Sequence, residues 1–435
     1  MMSHSISEKP AANGSLRGYN MKLSCLQENL NRGLSIVNRA LATLNTSPIN
    51  GNVLLVTDNN RLMLVAKNPQ LTISYWIVAH IEEEGSILVP ARLLTNFVSL
   101  LPSEKVEICV EAGTKTLILK CARSETFIGG KNAEDLPLAP NSKKNIAISI
   151  AVGTLCQAIG YMAFLSVVEA SQPILSGVYA NFDGKTLTLA AADGFRLATY
   201  KINLAESTGQ KFEIIIPSHA LKELYRLMLG WEEFEVSLPF ERNIKPSGRF
   251  TINSPDDIIS RKYTAPMNAD MLVELGVNPI ENQIIFKIEK IEFVSKLELG
   301  AFPKYNQLIP QSSDTRVRIN VQQFLTAVRT AATFFRDDSG IVILIISAAF
   351  EGHNGKLTIA ARPEKVNTYI CEIDAIIGGS EAKIAFKCKY LLELLGVLKE
   401  PEVIMELTTS KNPCVIKPVG ADNYVHTIMP MLIQW

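Results

Sequence analysis

The chain has 435 residues, enough for about three domains of ordinary size. Apolar residues make up 47% and charged residues 20% of the sequence, which excludes a disordered or low-complexity protein. Because 43 Lys and Arg residues balance 43 Asp and Glu residues, the formal net charge is zero. This excludes a uniformly basic nucleic-acid-binding protein, but a neutral total is compatible with an uneven distribution of charge.

The N-terminal region has no features of an export signal. Residues 1–20 are polar and lack an apolar core, so we interpret them as a disordered extension. The strongest apolar run, residues 341–350, is much shorter than the roughly 20 residues that a membrane-spanning helix requires. Seven dispersed cysteines without a C-x-x-C pair indicate a reducing compartment. We therefore predict a cytoplasmic protein with no membrane partner.

Three segments of the chain begin alike, at Met21, Asn145 and Thr315. Each begins with a short alternating strand, followed by a helix with apolar residues at spacings of three and four. A strand–turn–strand unit and then a second strand–helix–strand half follow in every copy. The repeats predict an α+β fold in which each domain has two helices and about eight strands. We place the domains at residues 21–140, 145–310 and 312–435.

The second repeat is longer than the first. Met21 and Asn145 are 124 positions apart, whereas Asn145 and Thr315 are 170 positions apart. The excess lies largely between residues 241 and 282, where prolines are frequent. A Pro-punctuated insertion in a regular repeat usually forms a surface excursion, so we predict that residues 245–282 are peripheral.

Patterns typical of catalysis or metal binding are weak. The HIEEE segment at residues 80–84 carries possible metal ligands, but no second ligand cluster accompanies it, and a solvated turn is the favoured interpretation. Gly129-Gly130-Lys131 lacks the spacing of a phosphate-binding loop, and no nucleophile elbow or dinucleotide fingerprint occurs. We predict no catalytic residue, no metal and no cofactor.

The six predicted helices are net basic although the whole chain is neutral. Only three acidic residues on them, Glu28, Glu223 and Glu393, oppose the cations. The basic residues are Arg32, Arg39, Arg92, Lys222, Arg226, Arg329, Lys387 and Lys389, together with His219. Long cations are common on any solvated helix face, so this excess leaves both a structural role and a phosphate-binding role open.

Several motifs resemble one protein family. The segment AADGFRLATY at residues 191–200 resembles the T-D-G-x-R-L-A stretch of bacterial DNA polymerase III beta subunits, the replicative sliding clamps. YVHTIMPM at residues 424–431 resembles their terminal M-P-M/V pattern, and GAFPKYNQLIP at residues 300–310 resembles their linker between the second and third domains. PINGNVLL at Pro48 and QPILSGV at Gln172 match the strands that follow the first helix of their first two domains.

The resemblance implies three tandem domains of the DNA clamp fold that close into a ring as a head-to-tail homodimer. Such a ring encircles duplex DNA without reading its sequence, and the helix cations would face the duplex. We assign the DNA contacts to Arg32, Arg39, Arg92, Lys222, Arg226, Arg329 and Lys389. The family places the strand near residues 123–128 at the dimer interface.

The resemblance further implies a non-catalytic processivity subunit of a DNA polymerase III holoenzyme. It would tether the polymerase alpha subunit and other proteins that carry a clamp-binding peptide, and a clamp loader would open the ring. A divergent clamp-like scaffold that binds proteins but does not load on DNA is the alternative.

In this family a partner peptide enters an apolar pocket between the second and third domains. The matching positions, with Arg196 expected as a polar edge that holds the peptide, are Leu175, Gly194, Phe195, Arg196, Leu197, Pro303, Leu308, Ile428, Met429, Pro430 and Met431. The chain departs from the family at Ala192, Gln172 and Gln307, and its tail continues to Trp435. These departures leave peptide preference and DNA loading open.

Overall fold

The computed structural model describes most of the chain from Met21 onward. The described residues are 21–41, 51–111, 113–136, 146–162, 164–165, 173–229, 269–335, 340–348, 355–361 and 368–433. The predicted extension at residues 1–20 and residues 245–268 of the predicted insertion lie outside them. Within the described ranges, no helix is long and apolar enough to cross a membrane.

The first repeat contains two helices and nine strands in its described part. Leu30, Leu34 and Val37 are fully buried on one face of the first helix, as the predicted apolar stripe requires. Leu41, the fourth residue predicted for this stripe, lies beyond the helix after a 3-10 turn and is half-buried. The elements are β1 (Met21–Leu26), α1 (Gln27–Val37), β2 (Asn52–Asp58), β3 (Arg61–Lys67), β4 (Leu71–Val78), β5 (His80–Glu83), β6 (Ser86–Pro90), α2 (Ala91–Ser99), β7 (Lys105–Glu111), β8 (Thr116–Cys121) and β9 (Ser124–Gly129).

The second repeat has the same order of elements in its described part, except that no strand corresponds to β5. Its helices again follow directly after strands. The elements are β10 (Ile146–Ala151), α3 (Val152–Met162), β11 (Gly177–Asp183), β12 (Thr186–Ala192), β13 (Arg196–Asn203), β14 (Phe212–Pro217), α4 (Ser218–Leu229), β15 (Leu272–Asn278), β16 (Gln283–Ile288) and β17 (Ile291–Lys296).

The third repeat completes the series. Phe324, Val328 and Ala331 are fully buried on its first helix, as the helical spacing predicts. The elements are β18 (Thr315–Asn320), α5 (Val321–Ala332), β19 (Ile341–Ser347), β20 (Gly355–Ala361), β21 (Tyr369–Gly379), β22 (Ala382–Lys387), α6 (Cys388–Val397), β23 (Glu402–Leu407), β24 (Cys414–Pro418) and β25 (Tyr424–Ile428).

The helices of each repeat pack in pairs, α1 with α2, α3 with α4, and α5 with α6. The first helix of each pair also packs on two neighbouring strands of its own sheet: α1 on β3 and β4, α3 on β12 and β13, and α5 on β20 and β21. Each repeat is therefore one layer of helices on sheet, and the predicted α+β class is confirmed.

The chain divides into two compact units. One comprises Met1–Asn145 with Gly276–Ser295, and the other comprises Ile146–Leu275 with Lys296–Trp435. In the first unit, one sheet has the order β5-β1-β7-β8-β9, and in a second sheet β17 pairs antiparallel with β4. The last strands of the second repeat thus group with the first repeat because they extend its sheet.

The second unit contains a sheet of 12 strands in the order β14-β11-β12-β13-β25-β24-β23-β18-β21-β20-β19-β22. The second and third repeats meet in this sheet where β13 pairs with β25, with Tyr200 opposite Tyr424 and Arg196 opposite Ile428. We call this pairing the sheet junction. It is continuous backbone hydrogen bonding between two repeats, so the residues at its end are held in a fixed register.

The prediction that all of residues 245–282 are peripheral is wrong at their C-terminal end. Residues 272–278 form a strand, β15. Val273, Leu275 and Val277 are at most 2% exposed. Because these apolar residues alternate with less apolar ones, the segment supplies a core strand despite the prolines that flank it.

We expect the two parts of the insertion to respond differently to deletion. Replacing residues 245–266 by a short Gly-Ser bridge should leave a folded protein, whereas the same replacement of residues 245–282 should not, because it removes β15 and its buried side chains. Circular dichroism and thermal unfolding of the two variants measure the difference. Cooperative unfolding of the longer deletion at the wild-type temperature would contradict the assignment of β15 to the core.

Candidate functional site

The turn between β12 and β13 sets the geometry at the sheet junction. One carboxylate oxygen of Asp193 accepts hydrogen bonds from the backbone N–H groups of Phe195 (3.0 Å) and Arg196 (2.7 Å). Gly194 has a φ of 86°, a left-handed conformation that glycine adopts without strain. The Asp-Gly pair of the motif therefore forms a tight turn that leaves the side chain of Phe195 55% exposed.

Successive residues after this turn point to opposite faces of the sheet. Leu197 packs in a cluster with Tyr179, Ile215 and Tyr305, against which Ile174 and Phe302 are partly buried. This cluster lies on the face away from Arg196. Leu197 is therefore buried in an apolar cluster on one face of the sheet, and Arg196 lies on the other face.

Arg196 is a buried structural residue, so the prediction that it forms a polar edge for a peptide is wrong. Its guanidinium contacts Asp193 at 2.8 Å and Glu393 of α6 at 2.6 Å, and the side chain is only 5% exposed. It also stacks on the ring of Tyr390, 4.1 Å from the ring centroid. Asp193 and Arg196 belong to the second repeat, and Glu393 and Tyr390 to the third, so this network ties the two repeats together.

Ile428 is also buried and does not form a wall of the predicted pocket. It is fully buried directly opposite Arg196, and residues opposite each other in a sheet share a face. Two positions earlier on this strand, His426 is also fully buried, with one ring nitrogen 3.0 Å from the hydroxyl of Tyr424. Burial lowers the pKa of His426 well below its usual value, and the positive charge of Arg196 acts in the same direction.

The chain after β25 returns to the surface beside the turn. The N–H of Met429 donates to the carbonyl of Phe195 (2.8 Å), and the side chain of Met429 is 40% exposed. The next residue, Pro430, is buried, and the N–H of Met431 donates to the carbonyl of Ala385 (2.8 Å). Met429 and Phe195 therefore lie side by side as exposed apolar side chains.

The remaining predicted pocket residues are less closely linked to the turn. Leu175 is half-buried in a short 3-10 helix, and Pro303 and Leu308 are exposed in the segment between the second and third repeats. The structure adds residues that motif matching missed: Ile174 and Phe302 beside Leu197, and Tyr390 and Lys387 beside Phe195. We call Phe195, Met429, Tyr390 and Lys387 the junction surface.

The predicted DNA contacts lie on the helices or directly after one. Arg32, Arg92, Arg226 and Lys389 are exposed, whereas Arg39, Lys222 and Arg329 are half-buried. Arg39 is in a 3-10 turn that follows α1. Arg226 forms an ion pair with Glu223 on the same helix, and burial lowers the pKa of Lys222, with Arg226 acting in the same direction. Burial also lowers the pKa of His219.

The whole folded chain matches models of one family. The N-terminal, central and C-terminal domains of the DNA polymerase III beta subunit match residues 21–140, 149–304 and 306–432 respectively. The chain belongs to this family. The beta sliding clamp of Synechocystis sp. is 28% identical over 429 residues, covering 94% of this chain and 99% of the relative. That of Synechococcus elongatus is 26% identical and covers 95% and 100%.

Solved structures agree on the fold. The DNA polymerase sliding clamp from Bacillus subtilis superposes with a TM-score of 0.81 at 24% identity, covering 95% of this chain and 100% of that chain. As a member of the beta subunit family, the chain is a DNA sliding clamp, a processivity subunit without catalytic residues of its own. The predicted family, fold and non-catalytic role are confirmed, and the scaffold alternative is not favoured.

We expect Arg196 to be essential to the sheet junction. Arg196→Met should lower the free energy of unfolding by about 3–5 kcal/mol, because it leaves the buried carboxylates of Asp193 and Glu393 without their cation. Denaturant unfolding measures the loss. Arg61→Met is the matched control: its ion pair with Asp58 is long, at 3.4 Å, and half-exposed, so the change should be within about 1 kcal/mol. Equal stability of Arg196→Met and wild type would mean that the network contributes nothing net.

Proposed function

We propose that this beta subunit acts in the cytoplasm as a head-to-tail homodimer that encircles duplex DNA, with the helix cations against the phosphates and the junction surface holding partner peptides. The observation that supports ring closure is that strands of successive repeats pair in the same way twice. The last strand of the second repeat, β17, pairs with β4 of the first, and the last strand of the third, β25, pairs with β13 of the second.

If the last strand of every repeat pairs with another repeat in this way, two strand edges are left for a second copy of the chain to pair. In the described residues, β9 is the edge strand of its sheet, and β21 is paired over residues 369–375 only with β20. These strands correspond to β17 and β4, which pair between the second and first repeats. Unpaired edges are prone to pair with another chain, and pairing β9 of one copy with β21 of another would satisfy both.

The two pairings between repeats, β17 with β4 and β25 with β13, predict the register of the proposed pairing of β9 with β21. The first residue of the last strand, Ile291 or Tyr424, lies opposite Tyr75 or Tyr200. Cys371 of β21 corresponds to these tyrosines. It lies opposite Ile359 of β20, and Ile359 corresponds to Leu64 of β3, which lies opposite Tyr75. Ser124 is the first residue of β9, so Ser124 of one copy should face Cys371 of the other.

An open cavity beside β21 supports this placement. It has a volume of about 500 Å³ and is lined by the start of α5 and by β21, including Gln322, Tyr369 and Cys371. At the corresponding place in the second repeat, Tyr161 of α3 stacks on Tyr424 of β25 at 4.5 Å. A strand added at β21 would bring side chains to the cavity in the same way.

Cross-linking tests the dimer and its register together. Ser124→Cys should form an intersubunit disulfide with the native Cys371 under mild oxidation, because directly opposite residues in antiparallel strands lie within the range a disulfide spans. Non-reducing electrophoresis detects the covalent dimer. It should be absent from Ser124→Cys/Cys371→Ser and much weaker in Thr126→Cys, which is displaced by two residues. A monomer at micromolar concentration in solution scattering would contradict the dimer itself.

DNA retention should depend on the helix cations rather than on positive charge in general. Replacing Arg32, Arg226 and Arg329 by Ala should reduce retention on nicked circular DNA and lower the slope of log K against log salt by about 2–3, because fewer phosphates are neutralised. The control is Lys185, Lys201 and Lys290 replaced by Ala, an equal charge change at exposed positions on turns and a strand. Equal retention of both triple variants, on the circular DNA and after the DNA is linearised, would contradict the assignment of the DNA contacts to the helices.

Partner peptides should depend on the exposed apolar side chains of the junction surface. Met429→Ala should weaken a peptide that begins with Gln and carries Leu and aromatic anchors by about 1–3 kcal/mol, the usual cost of truncating an anchor contact. Calorimetric titration measures the affinity. Leu432→Ala, 75% exposed three residues along the tail, should change it little. Equal losses in the two variants would place the anchor elsewhere.

A further inference from the structure

Lys387 is the cation of the junction surface and does not lie on a helix face. It is the last residue of β22, immediately before α6. Its ammonium nitrogen lies 5.8 Å from the ring centroid of Phe195 and 5.5 Å from that of Tyr390. These distances are within the range of cation–π attraction, which holds the ammonium beside the apolar side chains.

The charge of Lys387 has no carboxylate partner within the described residues. The nearest acidic side chains of the network, Asp193 and Glu393, are 9% and 16% exposed and both bind the guanidinium of Arg196. An ammonium has three N–H donors, and ring faces do not replace an anionic acceptor for them. The junction surface therefore presents exposed apolar groups next to a cation that can still donate to a ligand.

This combination favours one kind of ligand. Phe195 and Met429 are 55% and 40% exposed, so an apolar side chain of a peptide can cover them. A charge at the rim of such an apolar contact discriminates between ligands more than it adds to affinity. We propose that Lys387 selects partner peptides in which an Asp or Glu side chain lies next to the apolar anchor. The inference rests on the proposed role of the junction surface in binding peptides.

An Asp/Asn scan tests it. The peptides are acetylated and amidated, begin with Gln and carry one Leu and one Phe, and each other position in turn is Asp or Asn. They are titrated into the full chain by calorimetry at low and at raised salt. At a position beside an anchor, wild type should bind the Asp peptide about 3–5-fold more tightly than the Asn peptide, and salt should reduce this ratio, as expected for a partly exposed ion pair.

Variants assign the preference to Lys387. Lys387→Met should abolish the Asp/Asn ratio and Lys387→Arg should keep it. Lys411→Met removes an exposed lysine from a turn of the same repeat and should leave the ratio unchanged. A wild-type ratio of one at every position, or a ratio that survives in Lys387→Met, overturns the inference while peptide binding itself stands. If no peptide of the scan binds wild type, the proposed role of the junction surface fails together with it.

Discussion

The constraint on which the structure depends is the backbone pairing of the last strand of one repeat with a strand of the repeat before it. The second and third repeats each end in a strand, β17 or β25, that pairs with the preceding repeat. Both pairings have one register, with Ile291 opposite Tyr75 and Tyr424 opposite Tyr200. Because a slip by one residue would move every side chain to the other face, this register also decides which residues become core and which become surface.

At the sheet junction the two faces of β13 make different contacts. Leu197 packs in a buried apolar cluster on one face, while Arg196 on the other joins α6 of the third repeat through Glu393. Burying one guanidinium and two carboxylates carries a large desolvation cost, so such a network is weak evidence for stability as such. Its geometry is restrictive, however: Asp193 binds Arg196 and at the same time caps the turn that exposes Phe195. The position of the exposed Phe195 side chain therefore depends on a polar network at the sheet junction.

Periodicity was sufficient to predict the repeats and the two helices of each. The prediction of the site failed where consecutive residues of a family motif were all assigned to one pocket. The period of two along a strand separates Arg196 from Leu197, yet matching consecutive family residues placed both in one pocket. β15 was missed because nearby prolines outweighed its alternating Val273, Leu275 and Val277. The contact from Arg196 to Glu393 spans 197 positions of sequence, and no local pattern specifies it.

If the helices face DNA as we propose, part of their positive charge is already compensated, because Arg226 has a carboxylate partner on its own helix. Of the three acidic residues that oppose the helix cations, Glu223 pairs with Arg226 and Glu393 with Arg196. An arginine that already pairs with a carboxylate gains less from a phosphate, so Arg226 should contribute less to DNA affinity than its exposure suggests. For a closed ring this is an advantage, because topology prevents dissociation and the contacts need only be exchanged as the ring moves. Strong individual contacts would slow sliding without improving retention, and a neutral chain with partly compensated cations meets that requirement.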